Sequence, residues 1–109
     1  MRRGEIWTAA GGSGYAGKPR PVVVIQDDRF DATDSVTICS FTTDPTEAPL
    51  IRLRIEPGDS GLREPSSLMV DKITTVTRTR LGDLIGHLND EDMMRLGRAI
   101  VVFLGLAGG

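Results

Sequence analysis

The chain has 109 residues, 39% of them hydrophobic and 26% charged, with a net charge of −2. That length fits one domain, residues 1–109, with a core of its own, and the ordinary composition excludes a disordered chain. A slightly acidic total excludes the broad basic surface of a non-specific duplex binder and leaves a local cationic patch, drawn from Lys18, Arg20, Arg52, Arg54, Lys72, Arg78 and Arg80.

Taken in order, "MRRGEIW" carries two arginines but no apolar run behind them, and no apolar stretch is long enough to span a bilayer. A soluble cytoplasmic protein without membrane contact is expected. "GEIWTAA" is short and ends at a loop signal; Trp7 in it is assigned to the core or a subunit interface, because a large ring has much area to bury. "GGSGYAGKP", with four glycines, is a loop. "PVVVIQDD" is the continuous apolar run of a buried strand, and "SVTICSFTT" is a β-branched strand. Cys39 within it is the only cysteine, so no intramolecular disulfide forms, and with the single His87 it cannot assemble a zinc site. No metal or cofactor is expected.

"TDPTEAP" and "EPGDSGLREP" are turn-rich loops. Between them "PLIRLRIEP" alternates, with Ile51, Leu53 and Ile55 on one face and Arg52 and Arg54 on a wet, cationic one. "SSLMVDKITTV" predicts one further strand, Thr77 to Leu81 a helical turn, and "DLIGHL" a last short strand. The chain closes on a helix: Asn89 caps it, Asp90 to Asp92 suit its positive end, and Gly105 terminates it. Met93, Leu96, Ile100, Phe103 and Leu104 fall on one of its faces. Five to seven short strands and one packing helix make a mainly-β α+β domain, a strongly bent sheet or partly open barrel.

Burial does not explain Arg20, which stands between Pro19 and Pro21 at the head of the apolar run. Each proline restricts its own φ and biases the residue before it toward extended backbone, so the pair stations a guanidinium at a strand edge.

In that order "MRRGEIW", "KPRPVVVIQDD", "VTICSFTT" and "LMVDKITTVTRTRLGDLIGHLNDEDMMRLGRAIVVFLGL" resemble the MazF/PemK toxins of bacterial type II toxin–antitoxin systems across nearly the whole chain. The resemblance implies an SH3-like small barrel, shared with the gyrase poison CcdB, and a homodimer. It also implies a metal-independent, sequence-specific endoribonuclease that cleaves single-stranded RNA and is held inactive by a cognate antitoxin. The family's arginine between prolines falls on Arg20, its strand-end threonine on Thr42 with Thr43 as the ambiguous neighbour, and the acid that some members use near the site on Asp71. Met69 stands where some relatives have a second arginine and Lys72 where many have glutamine, departures that bear on base preference.

RNA carries its own nucleophile, so such an enzyme needs to align the 2′-OH, move protons and stabilise the phosphorane. Arginine suits the last task through its planar fork of donors, and a threonine hydroxyl adds a second donor. Because a guanidinium does not ordinarily give up its proton, Arg20 is expected to act electrostatically and Asp71 to be the base. His87 is expected away from the site. Tyr15 is available to stack on a base, and Lys18, Thr43 and Lys72 complete the expected RNA contacts. Two other readings remain: a CcdB-like gyrase poison, against which stands the lack of any aromatic residue after Phe103, and an SH3-like interaction module without chemistry.

Overall fold

The computed structural model describes residues 1–10 and 18–106 of the chain. Seven strands and one α-helix follow in order: β1 (Glu5–Ala9), β2 (Arg20–Val24), β3 (Ser35–Thr42), β4 (Arg52–Ile55), β5 (Ser66–Met69), β6 (Thr74–Thr77), β7 (Leu81–His87) and α1 (Asp90–Phe103). The strands pair antiparallel in the order β4-β5-β3-β2-β1-β7, with β6 added to β3. This is the mainly-β architecture that the sequence predicts, built as a bent sheet that does not close.

Alternation along β2 and β3 gives the sheet two apolar faces. Val23, Cys39 and Phe41 point to the main core, where Ile6, Leu68, Val70 and Leu96 are fully buried; each such side chain contributes about 1.5–3 kcal/mol against its exposed state. Val22, Val24, Val36 and Ile38 point to the other face, with Ala9 and Leu81. Helix α1 covers the main core through Leu96, assisted by Met93, Ala99 and Ile100. Its N-terminus is capped as expected, the Asn89 side chain accepting the Asp92 N–H at 2.7 Å, and Gly105 follows its end at φ +73°. Phe103 and Leu104 depart from expectation: instead of joining the buried stripe they are about half exposed, with Val102 and Leu106 beside them.

The segment "SSLMVDKITTV" is not one strand. β5 pairs with the end of β3, Phe41 opposite Leu68 and Thr42 opposite Ser67, whereas β6 pairs with its beginning, from Ser35 opposite Thr77 to Ile38 opposite Thr74. A 3-10 turn at Val70–Lys72 carries the chain from one to the other. β3 therefore changes neighbour near Cys39 and Ser40. A second 3-10 turn, Arg78–Arg80, stands where the sequence predicts a helical turn.

β7 makes a close approach to the loop after β4. The Asp59 carbonyl accepts the His87 N–H at 3.0 Å, and a Cβ added to Gly86 would collide with the backbone of Ser60. Backbone cannot retreat as a side chain does, so Gly86→Ala is expected to cost about 1–3 kcal/mol of overpacking, a drop of roughly 4–8 °C in thermal midpoint for each kcal/mol. Thermal melts of the two proteins check this.

Candidate nucleic-acid interface

The site begins with register. β2 and β3 pair with Val22 opposite Ser40 and Val24 opposite Ile38. Carried two residues toward the start of β2, that pairing sets Arg20 opposite Thr42. Side chains two apart share a face, so Arg20, Val22, Ser40 and Thr42 all turn to the same side, away from the main core. They line a cavity of about 460 Å³. Its far wall is the 3-10 turn and β6, through Lys72, Thr74 and Thr75, and its end is closed by Arg80. Apolar Val22, Ile38, Met69 and Val76 make the floor. The space lies where β3 leaves β6 to join β5 and the turn between those strands bridges the gap.

The lining chemistry is consistent. Three cations, Arg20, Lys72 and Arg80, and a row of hydroxyls from Ser40, Thr42, Thr74 and Thr75 face one volume, and no carboxylate lines it among the described residues. Thr42 is oriented within it: the Asp44 N–H donates to its Oγ1 at 3.2 Å, which occupies an oxygen lone pair and leaves the hydroxyl hydrogen to donate elsewhere. Arg80 is anchored through Nη2, which donates to the Ala10 carbonyl at 3.3 Å. Such a cleft, cationic and rich in donors over an apolar floor, fits a phosphodiester between two bases.

Asp71 is not in it. Its carboxylate is paired with Arg52 Nη1, which also donates to the Ile51 carbonyl at 2.9 Å, and the two side chains are 26% and 18% exposed. The hydrogen bond from Arg52 is the main cause that holds the Asp71 carboxyl below its ordinary value. Arg52 likewise departs from the expected wet face of β4; it is half-buried, and its charge is spent on Asp71, while Arg54 is exposed as expected. His87 lies on β7 and is not among the lining residues.

Lys18 and Thr43 are exposed neighbours of Arg20 and Thr42 but do not line the cavity among the described residues. Tyr15 falls outside the described residues. Arg80, Thr74, Thr75 and Ser40 are the members that the sequence did not single out for a role at the site. Arg80 appears there only as one basic residue among several, and period-two alternation on β3 is the signal that brings in Ser40. Cys39, on the opposite face, is inert by burial, which pushes its thiol up to about 12. Among the described residues no group of three or more His, Cys, Asp or Glu is placed to hold a metal ion, and no helix is long and apolar enough to cross a membrane.

Comparison with known proteins gives a consistent picture. The family described as "PemK-like, MazF-like toxin of type II toxin-antitoxin system" matches residues 2–104. The chain is 60% identical over 109 residues, 99% of its length and 100% of the relative's, to the probable endoribonuclease MazF of Mycolicibacterium smegmatis. It is 31% identical to endoribonuclease EndoA of Bacillus subtilis, over 97% of this chain and 96% of that one. A solved mycobacterial endoribonuclease in complex with its cognate antitoxin superposes with a TM-score of 0.81 at 24% identity, covering 100% of this chain and 99% of that one, which establishes likeness of fold.

The Arg52–Asp71 pair carries a pH signature. A carboxyl whose folded value lies below its unfolded one adds stability that is fully present above the unfolded value and is lost as pH falls through the folded value. Asp71→Asn is therefore expected to melt below wild type at neutral pH, the gap closing as the solution is acidified through the carboxylate range. A gap of constant size across that range would show that the pair does not act through ionisation.

Proposed function

This chain belongs to the family of PemK-like, MazF-like toxins of type II toxin–antitoxin systems, and from that premise we propose that it is a cytoplasmic toxin of one domain, residues 1–109, a metal-independent endoribonuclease. Its substrate in this reading is single-stranded RNA, cut at a preferred sequence, and its regulator a cognate antitoxin. The observation that carries the reading is the convergence of Arg20 and Thr42 on one cavity with Lys72 and Arg80.

The chemistry follows from those groups. The ribose 2′-oxygen attacks the adjacent phosphorus and loses its proton; the bond from phosphorus to the 5′-oxygen breaks, and that oxygen takes a proton. The products are a 2′,3′-cyclic phosphate, open to later hydrolysis, and a 5′-OH. Negative charge peaks on the nonbridging oxygens midway, where Arg20 offers its planar fork and Thr42 its freed hydroxyl hydrogen. Lys72 and Arg80 hold the flanking phosphates. With Asp71 bound to Arg52, it has no place as the base in this scheme, and the contribution of the groove is electrostatic stabilisation and alignment. Lys18 and Thr43 are left as contacts for RNA beyond the cavity, and Tyr15 as a stacking residue.

A homodimer is part of the same reading. Val101, Val102, Phe103, Leu104 and Leu106 are exposed apolar residues clustered at the end of α1, a surface that a second copy could cover. Val102→Asp is expected to shift the wild-type protein from dimer to monomer by sedimentation equilibrium; a wild-type monomer at micromolar concentration would refute the dimer.

A gyrase poison or an interaction module without chemistry makes no use of the Arg20 cavity. The purified protein, incubated with long single-stranded RNA in EDTA, is expected to cut it at a recurring motif. Arg20→Ala is expected to lower the rate ~10²–10³-fold, about 3 kcal/mol of transition-state stabilisation, with an unchanged melting midpoint. Full activity in that variant, or cleavage abolished by the chelator, would overturn the assignment.

A further inference from the structure

The Arg20 cavity has a neighbour. Thr42, Met69 and Lys72 form a ridge, and on its other side lies a second cavity of about 380 Å³ that reaches Asp44, Thr46 and Arg52. A shared wall made of a hydroxyl, a thioether and an ammonium suits a phosphodiester lying across it, with one nucleotide on each side. Arg52 in this second cavity is already paired with Asp71. Lys72 has no ion-pair partner among the described residues, so its charge is available to the backbone of the strand.

Among the described residues Asp44 is the one carboxylate that lines the second cavity, and its side chain is oriented. The Thr46 N–H and hydroxyl both donate to its Oδ1, at 2.9 and 2.6 Å, and they hold its carboxyl below the ordinary value. Oδ1 is thereby saturated, and among the described residues Oδ2 accepts no hydrogen bond. An ionised, oriented acceptor on the wall of a nucleotide-sized space discriminates between base edges.

We propose that the second cavity is a base-reading subsite for the nucleotide next to the scissile phosphate, in which Asp44 selects a base whose edge donates an amino group. Cytosine and uracil make the sharpest comparison, since the rings have the same size and stack alike. Cytosine presents its N4 amino group to the carboxylate; uracil presents O4 in the same place, and oxygen lone pairs face oxygen. The inference rests on the reading of the Arg20 groove as an RNA site, and it adds the residue that sets base preference on one side of the cut.

Binding of labelled short homopolymers of cytidine and of uridine to the full chain, read by fluorescence anisotropy, tests this without requiring cleavage. Oligocytidine is expected to bind roughly tenfold more tightly than oligouridine, the scale of one hydrogen bond to a charged acceptor. In Asp44→Asn, with folding checked by thermal melting, the two affinities are expected to converge. Lys72→Gln should weaken both RNAs alike, preserve the gap and reduce the salt slope by ~0.7, as loss of one contact to a single-stranded backbone requires. Equal binding by wild type, or a gap that survives in Asp44→Asn, overturns the subsite. A gap that behaves as expected in a protein that leaves long RNA intact would instead remove the nuclease reading alone.

Discussion

The pairing of β2 with β3, Val22 opposite Ser40, fixes which side chains share the groove, because side chains alternate across a sheet and a slip of one residue would send the whole set to the other face. Such a slip of β2 would put Val23 into the groove and turn Arg20 toward the main core. Burial forbids it: Val23, Cys39 and Leu68 are fully enclosed, and exchanging them for a guanidinium would leave a charge in the core. The hydrophobic face of the sheet thus determines the position of a charged group on the opposite face.

Electrostatics then complete what register begins. The chain as a whole is slightly acidic, yet its cavity presents three cations and no carboxylate among the described residues. Asp71, the immediate neighbour of Lys72 in the 3-10 turn, accepts its hydrogen bond from Arg52 and feels Lys72 only as a weaker charge. This half-buried pair adds to stability and also sets where the remaining positive charge lies. Asp44 is treated in the opposite way. Its hydrogen bonds come from neutral donors of Thr46, so it retains its charge at the edge of a cationic groove. The two carboxylates flank Thr42 and Lys72 with different consequences because their partners differ.

Much of this was legible in the residues. The apolar run after Arg20, the alternation of Leu53 and Ile55, the Asn89 cap and the stop at Gly105 each state a local preference that the fold obeys. Prolines on both sides of Arg20 marked it as a positioned charge before any pairing was known. Other features gave no such sign. "SSLMVDKITTV" has the pattern of a continuous strand, since nothing in its composition records that β3 is shared between β5 and β6. Asp71 carries an acid's chemistry in sequence, and its partner lies nineteen positions away at Arg52. Phe103 and Leu104 continue the helical period correctly, but period does not say which turns of a helix the rest of the fold covers.

The sequence by itself determined most of the elements and their apolar faces, the terminal helix with its caps, the resemblance to a toxin family, and the placing of Arg20 at the head of one strand and Thr42 at the end of the next. These are local matters, set by backbone sterics and by the spacing of apolar residues. Tertiary structure alone decided that β3 is shared between β5 and β6, that Lys72 and Arg80 line one cavity with Arg20, and that Arg52 pairs with Asp71. Such outcomes depend on contacts between residues far apart in the chain, whose energies come from mutual burial and charge pairing that no single segment encodes.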